Sequence, residues 1–407
     1  MNIVADENIP GVKETFANLG NVLTFPGREI CASDLKNTDI LLVRSVSIVD
    51  ERLLMNTPVK FVGSATIGED HIDTNWLKKN GIAYANAPGS NAQSVAEYVI
   101  LAIFNYCLAF NKDVHTLTIG IVGAGHVGTC LKTMLDKLKI NVLVNDPLKS
   151  LLEKGTSKTC TEKYVEFEDV LQADILTFHT PLVHKGEYST RHKVNDDMLT
   201  RLIDQNDSSD QYPSKQSKNS KNQCEKLIIN TARGGVIDNT ALLKHLTKNS
   251  GFQAVLDVWE NEPDINENLK DKCFLATPHI AGYSLDGKLS GTEMIFRAAC
   301  DYFELQYEEP EILEEQVSPI YLQFTKKPHE QSLLAVTRLL NDIFPIQEDD
   351  KLLRQINDQN SHHRGKYFDN LRKHYRIRRE FRNYSINIEA CRPEDIKILK
   401  ALGFQLH

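Results

Sequence analysis

The chain has no CxxC pair and no Cys/His cluster with zinc-ligand spacing, although cysteines occur at 31, 107, 130, 160, 224, 273, 300 and 391. That absence argues against a structural zinc site or a thioredoxin-like redox pair, and no metal is expected. Scattered thiols suit a reducing compartment. A basic excess is also lacking: 47 Lys and Arg against 55 Asp and Glu leave a net charge of −8. This balance disfavours nucleic acid or an anionic membrane as the main partner. The longest apolar run, YVILAIFNYCLAF at 98–110, contains an asparagine and is too short for a bilayer span. The opening MNIVADENIP lacks the basic-then-apolar pattern of a secretory signal, so a cytoplasmic location is expected. No solenoid-type repeat is present.

What is present reads as a soluble globular chain of two or three domains: 407 residues, 41% hydrophobic and 25% charged. Short apolar runs, IVAD, VLTF, ILLVRS, KFVGS and IAYAN, alternate with amphipathic stretches such as GVKETFANLG and HIDTNWLKKNG. Such alternation predicts βαβ units and a parallel sheet. The runs are almost wholly apolar, as strands covered on both faces should be. A helix over 94–110 leads to a second series, LTIGIV, NVLVN, DILTF, KLIIN, QAVLDV and CFLAT. The expected fold class is therefore α/β, with two doubly wound parallel sheets. Residues 204–225 are polar and of low complexity and are read as a mobile surface insertion. Beyond about residue 305 the pattern changes: acidic YEEPEILEEQ, helical HEQSLLAVTRLLNDIF, basic RKHYRIRREFR and a strand-like YSINIEA predict a small α+β domain.

The most specific local signal is LTIGIVGAGHVG, in which Gly123, Gly125 and Gly128 form GxGxxG between an apolar strand and a helix carrying Val127, Leu131, Leu135 and Leu138 on one face. The next strand ends at Asp146. That context matches the dinucleotide fingerprint. Gly123 permits the tight turn, Gly125 lets backbone approach a pyrophosphate, and Gly128 lets helix and strand pack closely. The helix N-terminus supplies free N–H groups. Asp146 can accept from the ribose hydroxyls and would repel a 2′-phosphate, which favours NAD over NADP. His126 within the loop faces solvent in this reading.

Ligands of open α/β sheets bind beyond the carboxyl ends of the strands. In the second series those positions hold Asp146, His179-Thr180-Pro181, Thr231-Ala232-Arg233-Gly234, Asp257 and His279. In the first they hold Arg44 and Ser45, then Ser64 and Thr66. Oxidation of a hydroxyl needs a base with a pKa near neutrality, and histidine, at ~6.5, suits it. A carboxylate on the other ring nitrogen would set the tautomer, and Glu262 of DVWENEP stands 17 residues before His279. A fork-shaped cation such as Arg233 suits a substrate carboxylate. Each residue has a plain alternative: a packed histidine, a surface carboxylate, a surface ion pair. Their convergence after successive strands favours the chemical reading.

The stretches NAPGSNAQSVAEYVILAIF, IGIVGAGHVG, LTFHTPL, LIINTARGGVIDNTAL, VLDVWENEP and TPHIAGYS resemble the D-isomer-specific 2-hydroxyacid dehydrogenases, in order, over most of residues 60–284. The resemblance implies a flavodoxin-like substrate domain (1–95, completed by 281–305), a Rossmann NAD-binding domain (96–280) and a C-terminal dimerisation domain (306–407). RSV, GSATIGEDHID, PHIAGYSLDGK and FDNLRKHYRIRREF place it nearest a branch acting on a small phosphorylated 2-hydroxy acid. That implies NAD-linked oxidation of 4-phospho-D-erythronate in pyridoxal 5′-phosphate biosynthesis. Carried over, His279 is the acid/base, Glu262 its partner and Arg233 the carboxylate anchor. Ser45, Thr66 and Tyr283 contact substrate, with Arg44 a candidate for its phosphate. Gly123, Gly125, His126, Val127, Gly128, Asp146, Thr180, Asp257 and Gly282 contact NAD. The implied assembly is a homodimer, without nucleic acid or membrane. Two alternatives stand beside this one: a dehydrogenase for another 2-hydroxy acid such as 3-phosphoglycerate, and a non-catalytic NAD-sensing protein on the same fold.

Overall fold

The computed structural model describes residues 1–154, 164–207, 226–248, 251–307, 319–327 and 329–407. The expected insertion at 204–225 lies mostly outside them; only its first four residues are described, and they complete the helix Asp196–Asp207 rather than start a loop. The acidic stretch 308–316 is likewise outside.

Two compact units are present. The first comprises Met1–Ser94, Tyr283–Tyr321 and Ile377–Ser385. Its sheet contains β1 (Asn2–Asp6), β2 (Asn21–Phe25), β3 (Ile40–Val43), β4 (Phe61–Ser64) and β5 (Ala83–Ala85). The order is β2-β1-β3-β4-β5, all parallel, which is the flavodoxin-like arrangement. The apolar runs are explained by two separate cores. Ile3, Ala5, Ile40 and Leu42 pack with Phe16, Ile295 and Phe296, whereas Val4, Leu41, Val43 and Val62 pack with Leu35, Leu54 and Leu77. Alternate residues point to opposite faces, and both faces are buried, so no polar alternation survives.

The second unit comprises Val95–Gly282, Leu322–Arg376 and Ile386–His407. Its strands are β6 (Thr118–Val122), β7 (Asn141–Asn145), β8 (Ile175–Phe178), β9 (Lys226–Asn230), β10 (Phe252–Leu256) and β11 (Leu275–Ala276). They run β11-β10-β9-β8-β6-β7, again parallel. Val165 N–H donates to Val144 C=O at 2.8 Å, so the chain returns along the outer edge of β7. The winding reverses at β6, between β7 and β8, and such a switch point is where ligands bind. The helix Ala92–Ala109 is the one described helix long and apolar enough to cross a membrane, and 83% of that span is buried inside the protein.

The C-terminal segment supplies the helices Ser332–Ile343, Ile346–Arg354, Arg364–Lys373 and Pro393–Leu402. A three-stranded sheet, β12 (Ile320–Gln323), β13 (Tyr384–Asn387) and β14 (Gln405–Leu406), accompanies them. The basic stretch 372–382 is helical only at its start. The helix stops at Lys373, and Arg378, Arg379 and Glu380 are buried in the first unit.

Candidate active site

At the β6 switch point, the glycines act through contacts that can be named. Gly123 has φ +95°, and a Cβ there would lie 2.8 Å from the His179 carbonyl oxygen. A Cβ on Gly128 would lie 2.0 Å from the Gly123 carbonyl oxygen. Gly125, by contrast, precedes the helix His126–Lys137 and faces open space within 4 Å. The first-turn N–H groups, those of His126, Val127 and Gly128, have no helical acceptor available. Asp146 braces this loop: Oδ2 accepts from Ala124 N–H at 2.9 Å, and Oδ1 accepts from Lys149 N–H at 3.1 Å. Across the switch point, Thr180 Oγ1 is buried without a hydrogen-bond partner among the described residues. An open glycine face, unpaired amides and an orphaned hydroxyl fit a dinucleotide cofactor. His126 is exposed and Val127 half-buried, as expected of residues at the loop surface.

The histidine that follows β11 is held from several sides. His279 Nδ1 pairs with Glu262 Oε2 at 2.7 Å, and the other Glu262 oxygen accepts from Trp259 N–H at 2.8 Å. Burial pushes the Glu262 carboxyl up, but the charge and hydrogen bond of His279, the Trp259 N–H and the Arg372 charge together hold it below the usual range. A carboxylate against Nδ1 favours the tautomer that carries its proton there, with Nε2 as the acceptor. Nε2 has no hydrogen-bond partner among the described residues.

His279 itself sits at φ +58°, an uncommon conformation for a non-glycine residue. Asp257 explains how it is held. The Asp257 carbonyl accepts from His279 N–H at 2.7 Å, and its carboxylate accepts from Ile280 N–H at 2.8 Å, Ala281 N–H at 2.9 Å and the Thr277 hydroxyl at 2.7 Å. Burial pushes the Asp257 carboxyl above its ordinary range, against the His279 charge and these hydrogen bonds. The Tyr98 hydroxyl shares a 2.7 Å hydrogen bond with Thr277, and Trp259 Nε1 donates to the Thr277 carbonyl at 3.0 Å. Asp257 thus organises the loop that bears His279. Gly282 closes that loop, half-buried.

Arg233 follows β9 on a neighbouring loop. Asn230, fully buried, donates through Nδ2 to the Arg233 carbonyl at 2.9 Å and accepts from Ala232 N–H at 3.0 Å. A Cβ on Gly234 would lie 1.9 Å from the Trp259 carbonyl group, so the Arg233 loop presses directly on the loop that carries Glu262. The half-buried guanidinium donates through Nη1 to the Ala232 carbonyl at 2.8 Å. His179 plays a structural part. Its ring pairs with the Thr177 hydroxyl at 2.9 Å and the Thr231 hydroxyl at 3.4 Å, and desolvation pushes its pKa down to about 3.

The carboxyl edge of the first unit is built differently. Ser45 is exposed after β3. Ser64 Oγ lies 2.9 Å from Thr66 Oγ1 and 3.1 Å from His71 Nε2. Arg44 Nε donates to the buried Asp6 carboxylate at 3.0 Å. The helix Leu285–Tyr302 crosses this edge: a Cβ on its Gly291 would lie 2.9 Å from the Ala65 carbonyl oxygen, and Thr292 Oγ1 donates to Pro10 C=O at 2.9 Å. Tyr283 precedes that helix with Lys288 Nζ 4.9 Å from its ring centre.

Beneath Tyr283 lies a network that sequence reading missed. Arg378 Nε donates to the Tyr283 carbonyl at 3.0 Å, and Leu285 N–H donates to the Arg378 carbonyl at 2.8 Å. Ser284 caps the helix by accepting from Gly287 N–H at 2.9 Å; its hydroxyl lies 2.6 Å from that of Ser94, which donates to Glu380 at 2.7 Å. Arg379 pairs with Asp286 at 2.9 Å. The basic run carries no local sign of these bonds, because their partners lie far away in the sequence.

Residues 105–281 match the family model for the D-isomer specific 2-hydroxyacid dehydrogenase NAD binding domain, and residues 315–403 match a domain of unknown function. The chain is 39% identical to an erythronate-4-phosphate dehydrogenase of Marinobacter nauticus, with all of both chains covered. It is 38% identical to the corresponding protein of Hahella chejuensis, over 100% of this chain and 99% of that one. Among solved structures, NAD-bound 3-phosphoglycerate dehydrogenase of Entamoeba histolytica superposes with a TM-score of 0.57 at 23% identity, covering 75% of this chain and 95% of that one. D-lactate dehydrogenase of Aquifex aeolicus with NAD and lactic acid gives 0.54 at 21% identity, covering 75% and 96%. At such identities the structural likeness speaks for the fold.

Proposed function

Because the chain belongs to the erythronate-4-phosphate dehydrogenase family, within the D-isomer-specific 2-hydroxyacid dehydrogenases, we propose that it oxidises 4-phospho-D-erythronate to (R)-3-hydroxy-2-oxo-4-phosphooxybutanoate in pyridoxal 5′-phosphate biosynthesis. It is an NAD-dependent dehydrogenase. The observation that carries the reading is the His279–Glu262 pair, held by Asp257 and Trp259 at the carboxyl edge of the NAD-binding sheet.

NAD, when bound, accepts the hydride leaving the substrate C2. Gly125, the first turn of the following helix, Asp146 and Thr180 would hold it, and Asp257 and Gly282 are assigned to the same cofactor. His279 Nε2 takes the proton from the C2 hydroxyl as the C–O bond becomes a carbonyl. Glu262 orients the ring and stabilises the imidazolium that results. Arg233 anchors the substrate carboxylate, and its charge favours the developing carbonyl. Ser45, Thr66, Tyr283 and Arg44 hold the rest of the substrate. No observation favours 3-phosphoglycerate as substrate or a purely sensing role.

Residues 1–95 with 281–305 are assigned to substrate binding and 96–280 to NAD. Residues 306–407 are assigned to a homodimer interface, and the enzyme to the cytoplasm. The deciding experiment follows nicotinamide absorbance with a panel of phosphorylated and unphosphorylated 2-hydroxy acids. Fastest reduction with 4-phospho-D-erythronate is expected. Reduction with none of them would remove the enzymatic reading, and preference for another acid would replace the substrate.

A further inference from the structure

We propose that Lys288 joins Arg44 in a dianion subsite that selects the phosphorylated substrate. The inference rests on the substrate reading above and adds to it a residue not assigned there. Arg44 and Lys288 both belong to the first unit, at the carboxyl edge of its sheet. The Nε edge of Arg44 is fixed by Asp6, whose side chain is fully buried. Its two terminal nitrogens make no ion pair among the described residues. Lys288 likewise pairs with no carboxylate among the described residues; its ammonium lies against the Tyr283 ring instead. Geometry brings the two to one edge: Leu289, next to Lys288, would lie 3.3 Å from a Cβ on Gly11, Thr292 one turn on donates to the Pro10 carbonyl, and Asp6 at the end of the same β1 holds Arg44. Burial, and then the positive charge of Arg44, lower the Lys288 pKa in keeping with that placement.

Two neighbouring cations with a single paired carboxylate, that of Asp6, carry an unfavourable excess of positive charge. Arg379 and Arg382 of the same unit are each matched by a carboxylate, Asp286 and Glu380. At this edge Asp6 is the one carboxylate paired with the two cations among the described residues, so an excess of positive charge remains beside Tyr283. A phosphate monoester matches that excess, since its two negative charges and three terminal oxygens can accept from the guanidinium and the ammonium together. A neutral hydroxymethyl group cannot. The Lys288 ammonium already lies 4.9 Å from the Tyr283 ring centre, so it is placed before substrate arrives.

The test compares kcat/KM for 4-phospho-D-erythronate and D-erythronate in the unsubstituted enzyme, Lys288→Ala and Lys288→Arg. The alanine variant is expected to reduce the preference for the phosphorylated acid by about tenfold or more, mainly through KM, while the arginine variant retains it within about threefold. An unchanged preference in Lys288→Ala overturns the proposal. If the unsubstituted enzyme oxidises neither acid, the substrate reading fails on its own. The subsite is then judged by calorimetry with inorganic phosphate: saturable binding weakened about tenfold in Lys288→Ala supports it, and equal or absent binding in both proteins overturns it.

Discussion

Beyond β10 and β11, each polar side chain around His279 holds another in place: Glu262 pairs with the ring, Trp259 with Glu262, Thr277 with Asp257, and Tyr98 with Thr277. Beyond β1 and β3, by contrast, Arg44 is tied by one edge only and Lys288 has no carboxylate among the described residues. The difference separates two tasks. A proton carrier must be oriented before substrate arrives, because a misplaced ring loses rate, so its neighbours are committed to it. A site for a charged group needs charge that nothing else has neutralised. At the first edge a carboxylate is committed to His279; at the second, Ser64, Thr66 and His71 bond among themselves while Lys288 has no carboxylate among the described residues.

The largest effect should come from the residue on which the ordered edge converges. His279→Ala is expected to lower kcat by about 10³-fold while NAD affinity, measured by fluorescence titration, stays within about twofold. Near-normal turnover would mean that the ordered edge is not the catalytic one. Gly234→Ala comes next. Its new Cβ would meet the Trp259 carbonyl at 1.9 Å, so the Arg233 and Glu262 loops must separate. A loss of about 2 kcal/mol in denaturant stability and about a hundredfold in kcat/KM should follow. Wild-type values in both would show that the two loops move independently.

Arg233→Lys keeps the charge but loses the fork, and about a tenfold fall in kcat/KM is expected; unchanged kinetics would relegate the arginine to the surface. His179 gives a test in pH rather than rate. Its folded pKa of about 3 lies below the free value of 6.5, so the unfolded chain binds the proton first. Stability therefore falls as pH drops from 6.5 toward 3, by up to about 1.4 kcal/mol per pH unit for this group. Urea titrations of His179→Gln should show a shallower slope across that window, and identical slopes would mean that the ring is not buried as a neutral group. The smallest effect is expected from Tyr98→Phe. Thr277 keeps its bond to Asp257, so stability should fall by only about 1 kcal/mol. A collapse of activity in that variant would show that the ordered edge depends on its outermost member.

Much of the scaffold was legible because parallel strands covered on both faces read as continuous apolar runs, and β7 and β9 occupy the expected NVLVN and KLIIN. The last run was less faithful: CFLAT yields only Leu275–Ala276. Strand length depends on a neighbour to pair with, and β11 pairs only through Val255 and Leu256. The positions of His279, Glu262 and Arg233 were legible as strand-end chemistry. The supports were not. Tyr98 read only as part of an apolar helix, Thr277 only as a strand end, and Arg378 only as part of a basic run. Nothing local distinguishes a buried arginine from an exposed one; its acceptors on Tyr283 and Ser94 lie 95 and 284 residues away in the chain.

By itself, the sequence determined two parallel sheets, a glycine loop that admits no larger residue at Gly123 or Gly128, and the types of side chain set at the strand ends. Those features follow from periodicity and steric limits that act over a few residues. Only the tertiary structure decided which of those side chains are committed to one another. That choice depends on hydrogen-bond partners and burial supplied by distant segments.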